Sequence, residues 1–121
     1  MAEILSIKSA DNLGAELLVA QRLDGGVLRL LLNNPPANTL SEGLLSALDE
    51  ALKKAAEEEE TRVVVLAANG HLFCAGHDLK EMTAGRAAED GGHAYFTDLF
   101  ARCAEVMTLI PRLPQPVIAE I

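Results

Sequence analysis

Apolar positions recur along this chain with two different periods, and the switching between them predicts an α/β protein. Residues 16–23 form a short, largely apolar run that reads as a strand. Asp24-Gly25-Gly26 follows it. Hairpin turns demand positive φ, which glycine adopts at no steric cost, so these residues predict a turn. Residues 27–33 read as the return strand, apolar apart from Arg29, which suits a strand covered on both faces or nearly so. Pro35-Pro36 stops the sheet, because proline has no N–H to donate to a ladder.

The period then changes. Leu44, Leu45, Leu48, Leu52 and Ala55 recur at helical spacing and define one apolar face. Ser41 is a good N-cap, Glu42 sits at the positive end of the helix dipole, and Leu40 with Leu45 predicts a hydrophobic staple. Glu57-Glu58-Glu59-Glu60 ends the helix and reads as a solvated terminus, since four consecutive helical residues cannot converge on one ion. Residues 61–68 form a β-branched central strand. A short helix is predicted over 78–83 and a loop over 85–92, whose composition suits a rim or mobile lid. A long helix is predicted over 93–110, with Phe96, Leu99, Phe100, Cys103, Val106, Met107 and Ile110 on a buried face. Pro111, Pro114 and Pro116 close it and lead into an apolar strand at 117–119. Residues 1–14 show no sustained period and read as a lead-in; 15–121 read as one unit without repeat or linker.

Composition narrows the function classes. The chain has 121 residues, the size of one small domain, and half of them are apolar, so a core is available. Aromatics are only 3%, so that core must be aliphatic. A net charge of −8 argues against nucleic acid and requires that any anionic ligand be held by local amides and a few cations. No apolar run approaches the ~18 residues of a membrane span. The N-terminus lacks the basic and apolar regions of a secretory signal, so a cytoplasmic location is expected. Cys74 and Cys103 are expected to be reduced and buried, without a disulfide between them.

The chemistry concentrates where the central strand meets the short helix, at Asn69-Gly70-His71-Leu72-Phe73-Cys74-Ala75-Gly76-His77-Asp78. A strand, a small-residue turn and a helix start together aim backbone N–H groups at an anion. Ala75-Gly76 allows close approach to the backbone. Such a turn can donate to a carbonyl oxygen that gains negative charge. His71, Cys74, His77 and Asp78 also place four potential metal ligands close together, but no second closely spaced Cys/His pair completes a zinc site. Cys74 precedes a helix start, which lowers a thiol pKa, and His77 lies three residues on, so the turn geometry, not the spacing, decides whether thiol and imidazole meet. No Gly-x-Ser-x-Gly or Gly-x-Gly-x-x-Gly occurs.

Phe73-Cys74-Ala75-Gly76-His77-Asp78-Leu79-Lys80-Glu81-Met82 closely resembles the oxyanion-loop motif of the enoyl-CoA hydratase/isomerase (crotonase) superfamily. The segment 27–40, with Asn33-Asn34-Pro35-Pro36-Ala37-Asn38-Thr39-Leu40, resembles that family's strand and Asn-x-Pro…Asn-x-Leu turn, and Pro114-Gln115-Pro116-Val117-Ile118-Ala119 its following strand. Three motifs in order cover the chain from about residue 15 onward. The resemblance implies a crotonase-like α/β fold, a curled sheet of ββα units of which 15–121 is the N-terminal half. It implies an acyl-CoA thioester partner, coenzyme A only as part of the substrate, no separate cofactor, and a trimeric or hexameric homo-oligomer. By resemblance the His77 N–H, set by Gly76, is one oxyanion donor. Ala37, Ala75, Asp78 and Leu79 contact coenzyme A, and Lys80 is the best phosphate-facing cation.

The chain departs from the pattern in two places. Pro36 stands where many members carry a basic residue, one residue having been lost before Asn38, and His77 stands where alanine is common. The His77 side chain either narrows and polarises the pocket or packs at its rim. The second oxyanion donor and the catalytic glutamates of hydratases match no residue up to Ile121. A catalytically silent CoA-binding or interface protein on the same fold is therefore the alternative to an enzyme.

Overall fold

A computed structural model describes residues 16–121. The lead-in expected over 1–14 lies outside the described residues. Four strands form one sheet in the order β1 (Leu18–Leu23), β2 (Val27–Leu32), β3 (Val63–Ala68) and β4 (Val117–Ala119). The first pair is antiparallel and the other two are parallel. Gly25 and Gly26, at φ 86° and 80°, make the hairpin turn, which sets Leu23 opposite Val27 and Leu18 opposite Leu32. Helix α1 (Glu42–Glu57) crosses from β2 to β3. Helices α2 (Leu79–Arg86) and α3 (His93–Arg112) connect β3 to β4.

The two-residue alternation of β2 decides where the core sits. Leu28, Leu30 and Leu32 point to the helices and pack with Leu44, Leu45, Leu48, Leu52 and Ala55 of α1 and with Leu99 and Val106 of α3. Leu31 points the other way, into a small cluster with Val19 and Ala67. Arg29 shares that second face, where it donates to Gln21, its partner across the strand pair, at 2.7 Å and to Glu120 at 2.5 Å. Ser41 caps α1, its Oγ accepting the Leu44 N–H at 3.2 Å. Leu40 packs against the core beside buried Leu45.

Five expectations need correction. Helix α2 runs to Arg86 rather than ending near Thr83, so Gly85 is helical and only 87–92 is loop. Gly85 is there for packing: a Cβ on it would lie 2.3 Å from the Tyr95 ring, which rests directly on the α2 backbone. Helix α3 continues through Pro111, which forgoes only its own N–H, while Leu113 N–H still reaches Leu109 O at 3.1 Å. Phe100 and Met107, expected in the core, are 51% and 43% exposed. At about 100° per residue they lie some 80–100° around the helix from Leu99, on the border of the face. Glu58 is not simply solvated, because it pairs with Arg22, which also donates to Thr61 Oγ1 at 2.8 Å. That Arg22 bond holds the Glu58 carboxyl below the usual range. The strands also start or stop one or two residues inside the predicted bounds, where Asn33, Thr61 and Arg62 make loop hydrogen bonds instead of ladder ones.

Candidate functional site

The site is assembled from two segments distant in sequence, 34–40 after β2 and 75–82 after β3. A parallel bridge between Leu40 and His77 joins them. Leu40 N–H donates to Gly76 O at 2.7 Å, and Ala75 N–H donates to Ala37 O at 3.0 Å. Both segments are held from beneath by buried amides. Asn38 is fully buried with φ 49°, a conformation asparagine tolerates better than most residues. Its Nδ2 donates to Asn69 O at 2.9 Å and Leu72 O at 2.7 Å, and its Oδ1 accepts Asn34 N–H at 2.8 Å. Asn69 Nδ2 donates to Asn33 Oδ1 at 2.9 Å, and Asn33 Nδ2 donates to Glu16 O at 2.7 Å. These asparagines were not among the sequence candidates. Their signal was the clustering of Asn33, Asn34, Asn38 and Asn69 at strand ends, where short amides replace ladder partners.

Ala37, Ala75, His77, Asp78, Leu79 and Lys80 line one groove of about 690 Å³, together with Asn34, Thr39 and Met82. Six of the seven sequence candidates therefore meet in one place, although Ala37 comes from a different segment. The seventh, Gly76, sets the turn at φ 104° with open space where a Cβ would stand. Its constraint is thus conformational rather than steric.

Amide availability differs from the expectation. The N-terminus of α2 is not free for an anion, because Asp78 supplies one itself: its Oδ1 accepts Lys80 N–H at 2.9 Å and Glu81 N–H at 3.2 Å. The Asp78 carbonyl accepts Met82 N–H at 3.1 Å. The His77 N–H is different, since no acceptor among the described residues takes it. Glu81 in turn accepts the Glu42 N–H at 3.0 Å, docking α2 on the start of α1. Burial, with the carboxylates of Glu81, Glu42 and Asp78 adding to it, pushes the Tyr95 phenol up.

The His77 imidazole packs edge-on to Phe100, with centroids 6.0 Å apart at 60°. Phe100 stacks on Phe96, which meets Tyr95 edge-on at 5.0 Å. Cys74 and Cys103 are free thiols that pack against the core but are only partly buried, not buried as expected. His71 is exposed. Among the described residues no three His, Cys, Asp or Glu side chains form a group able to hold a metal ion, and no helix is long and apolar enough to cross a membrane.

Residues 22–121 match the Enoyl-CoA hydratase/isomerase family profile. Over 116 residues the chain is 35% identical to enoyl-CoA hydratase domain-containing protein 3, mitochondrial, of Xenopus laevis, covering 95% of this chain and 38% of that protein. It is 31% identical over 101 residues to the mouse mitochondrial Delta(3,5)-Delta(2,4)-dienoyl-CoA isomerase, covering 78% of this chain and 31% of that one. The crystal structure of an enoyl-CoA hydratase from Mycobacterium smegmatis superposes with a TM-score of 0.77 at 55% identity, covering 85% of this chain and 38% of the other. The chain thus spans well under half the length of these relatives. With its mixed sheet and its match across 22–121, it belongs to the enoyl-CoA hydratase/isomerase family, has the crotonase-type α/β fold, and covers the N-terminal part of a family member.

Proposed function

We propose that the groove binds an acyl-CoA thioester and that the His77 N–H donates to the thioester oxygen, forming one half of an oxyanion hole. The observation that carries this reading is the unclaimed N–H of a residue lining the groove, beside a turn fixed by Gly76. As the thioester is converted to an enolate, negative charge collects on its oxygen. A fixed donor aimed there stabilises that charge more than it stabilises the neutral carbonyl, and is worth about 3 kcal/mol of barrier. Because Leu40 N–H holds Gly76 O and Ala37 O holds Ala75 N–H, the donor needs no reorganisation.

Ala37, Ala75, Asp78 and Leu79 form the walls against which the coenzyme A arm lies. Lys80, whose ammonium has no carboxylate partner among the described residues, meets a phosphate. With an overall charge of −8, that local cation and the amides must do the work of anion binding. General acid–base groups supply about 10²–10⁴-fold in such reactions. The chain's described carboxylates near the groove are engaged as caps, Asp78 on α2 and Glu81 on α1. We therefore expect ligand binding without hydration by these residues alone.

The test is an amide-resolved NMR titration of the 121-residue chain with butyryl-CoA. The reading predicts saturable shifts at the His77, Ala75, Leu79 and Lys80 amides by millimolar ligand. Amides that stay still across that range would refute it. Hydration of crotonyl-CoA above a heat-killed control would refute the half-hole account.

A further inference from the structure

The groove has five polar side chains: Asn34, Thr39, His77, Asp78 and Lys80. Three are already used inside the protein. Asn34 donates to the Thr39 carbonyl at 3.1 Å and to its hydroxyl at 3.3 Å, and Asp78 caps α2. Lys80 is exposed, so water satisfies it. His77 differs from all four. Its Nδ1 is buried and has no hydrogen-bond partner. An imidazole nitrogen is always either a donor or an acceptor, so a dry, unpartnered one is a standing cost that native structures rarely keep without a use.

The location of that nitrogen suggests the use. The N–H and the imidazole of His77 leave the same Cα. If the N–H holds the thioester oxygen and the groove holds the coenzyme A arm, the acyl substituent must pass beside the imidazole. The remaining groove side chains, Ala37, Ala75, Leu79 and Met82, are apolar, so the imidazole is the polar exception available to the acyl group. Its aromatic neighbour Phe100, with ring centroids 6.0 Å apart, is 51% exposed.

We propose that the His77 imidazole determines specificity by hydrogen-bonding an oxygen on the acyl chain, so that the site prefers acyl groups oxygenated near the thioester to plain alkyl ones. This rests on the acyl-CoA reading above. A hydroxyl suits either tautomer, because it donates to a bare Nδ1 or accepts from a protonated one. A methylene does neither and leaves the nitrogen orphaned.

The probes are butyryl-CoA and 3-hydroxybutyryl-CoA, which differ by one oxygen. Each is titrated into the full chain and into His77→Ala, with ¹⁵N shifts of the imidazole followed in the wild type. The wild type is expected to bind the hydroxy ligand about fivefold more tightly, the worth of one net hydrogen bond. Nδ1 should move with that ligand and not with butyryl-CoA. In His77→Ala, which keeps the N–H, the ratio of affinities should fall to about one. If His77→Ala does not fold, the Nδ1 shift in the wild type decides. Equal affinities in the wild type, a preference that survives in His77→Ala, or an unmoved Nδ1 would each overturn the inference while leaving acyl-CoA binding intact. Failure of both ligands to bind would overturn it together with the reading it rests on.

Discussion

Asn38 is the residue whose removal should most damage the site's scaffold. It is fully buried, and its side chain makes three hydrogen bonds: two to the carbonyls of Asn69 and Leu72 and one from the Asn34 N–H. Asn38→Ala removes all three part-buried bonds, at about 1 kcal/mol each. Alanine must also adopt φ 49°, which adds about 1 kcal/mol. The sum is about 4 kcal/mol, a large part of the 5–15 kcal/mol typical of a whole domain. Asn38→Gly loses the same bonds without the dihedral cost, so it should lose about 3 kcal/mol. Urea unfolding followed by far-UV circular dichroism measures both. A loss below about 1 kcal/mol for Asn38→Ala would show that these bonds do not hold the two segments together, and an alanine variant more stable than the glycine one would refute the dihedral cost.

Gly76→Val should abolish acyl-CoA binding while His77→Ala retains it. Valine fits the open space but not φ 104°, so the turn must move, whereas alanine preserves the N–H; equal losses in the NMR titration would contradict this. Gly85→Ala should destabilise by about 1–3 kcal/mol, although alanine favours helix by up to about 1 kcal/mol, because its Cβ would stand 2.3 Å from the Tyr95 ring; a stabilised variant on urea unfolding would refute the packing account. Glu58 is held below its ordinary pKa chiefly by Arg22, so the pair's contribution to stability is fully present above the ordinary glutamate range and is lost as pH falls through the depressed value. Thermal melts of Glu58→Gln should therefore trail the wild type at neutral pH and converge with it in acid; a gap independent of pH would refute the pairing. Ile118 and Ile121 are 54% and 98% exposed beside the outer edge of β4, so light scattering at high micromolar concentration should show association of copies; a lasting monomer would count against pairing at that edge.

Sequence alone determined the features that neighbouring residues decide. The Gly25-Gly26 turn, the Ser41 cap with its leucine face, the strand periods and the Asp78 helix start all follow from contacts within four residues or from backbone freedom at one residue. The motif around Gly76 marked the turn itself. Tertiary structure decided whatever depends on a neighbour arriving from elsewhere in the chain. Gly85 reads locally as a helix breaker, yet it is helical because the Tyr95 ring needs bare backbone to rest on. Phe100 belongs to an apolar stripe, yet it stands at the edge of the buried face beside His77. Glu58 looks like one of four solvated acids until Arg22 of β1 reaches it. The groove exists only because the Leu40–His77 bridge and the Asn38 amide join segments that β3 and α1 separate in sequence. Periodicity registers what lies three or four residues away, and it carries no record of which distant backbone a buried side chain will meet.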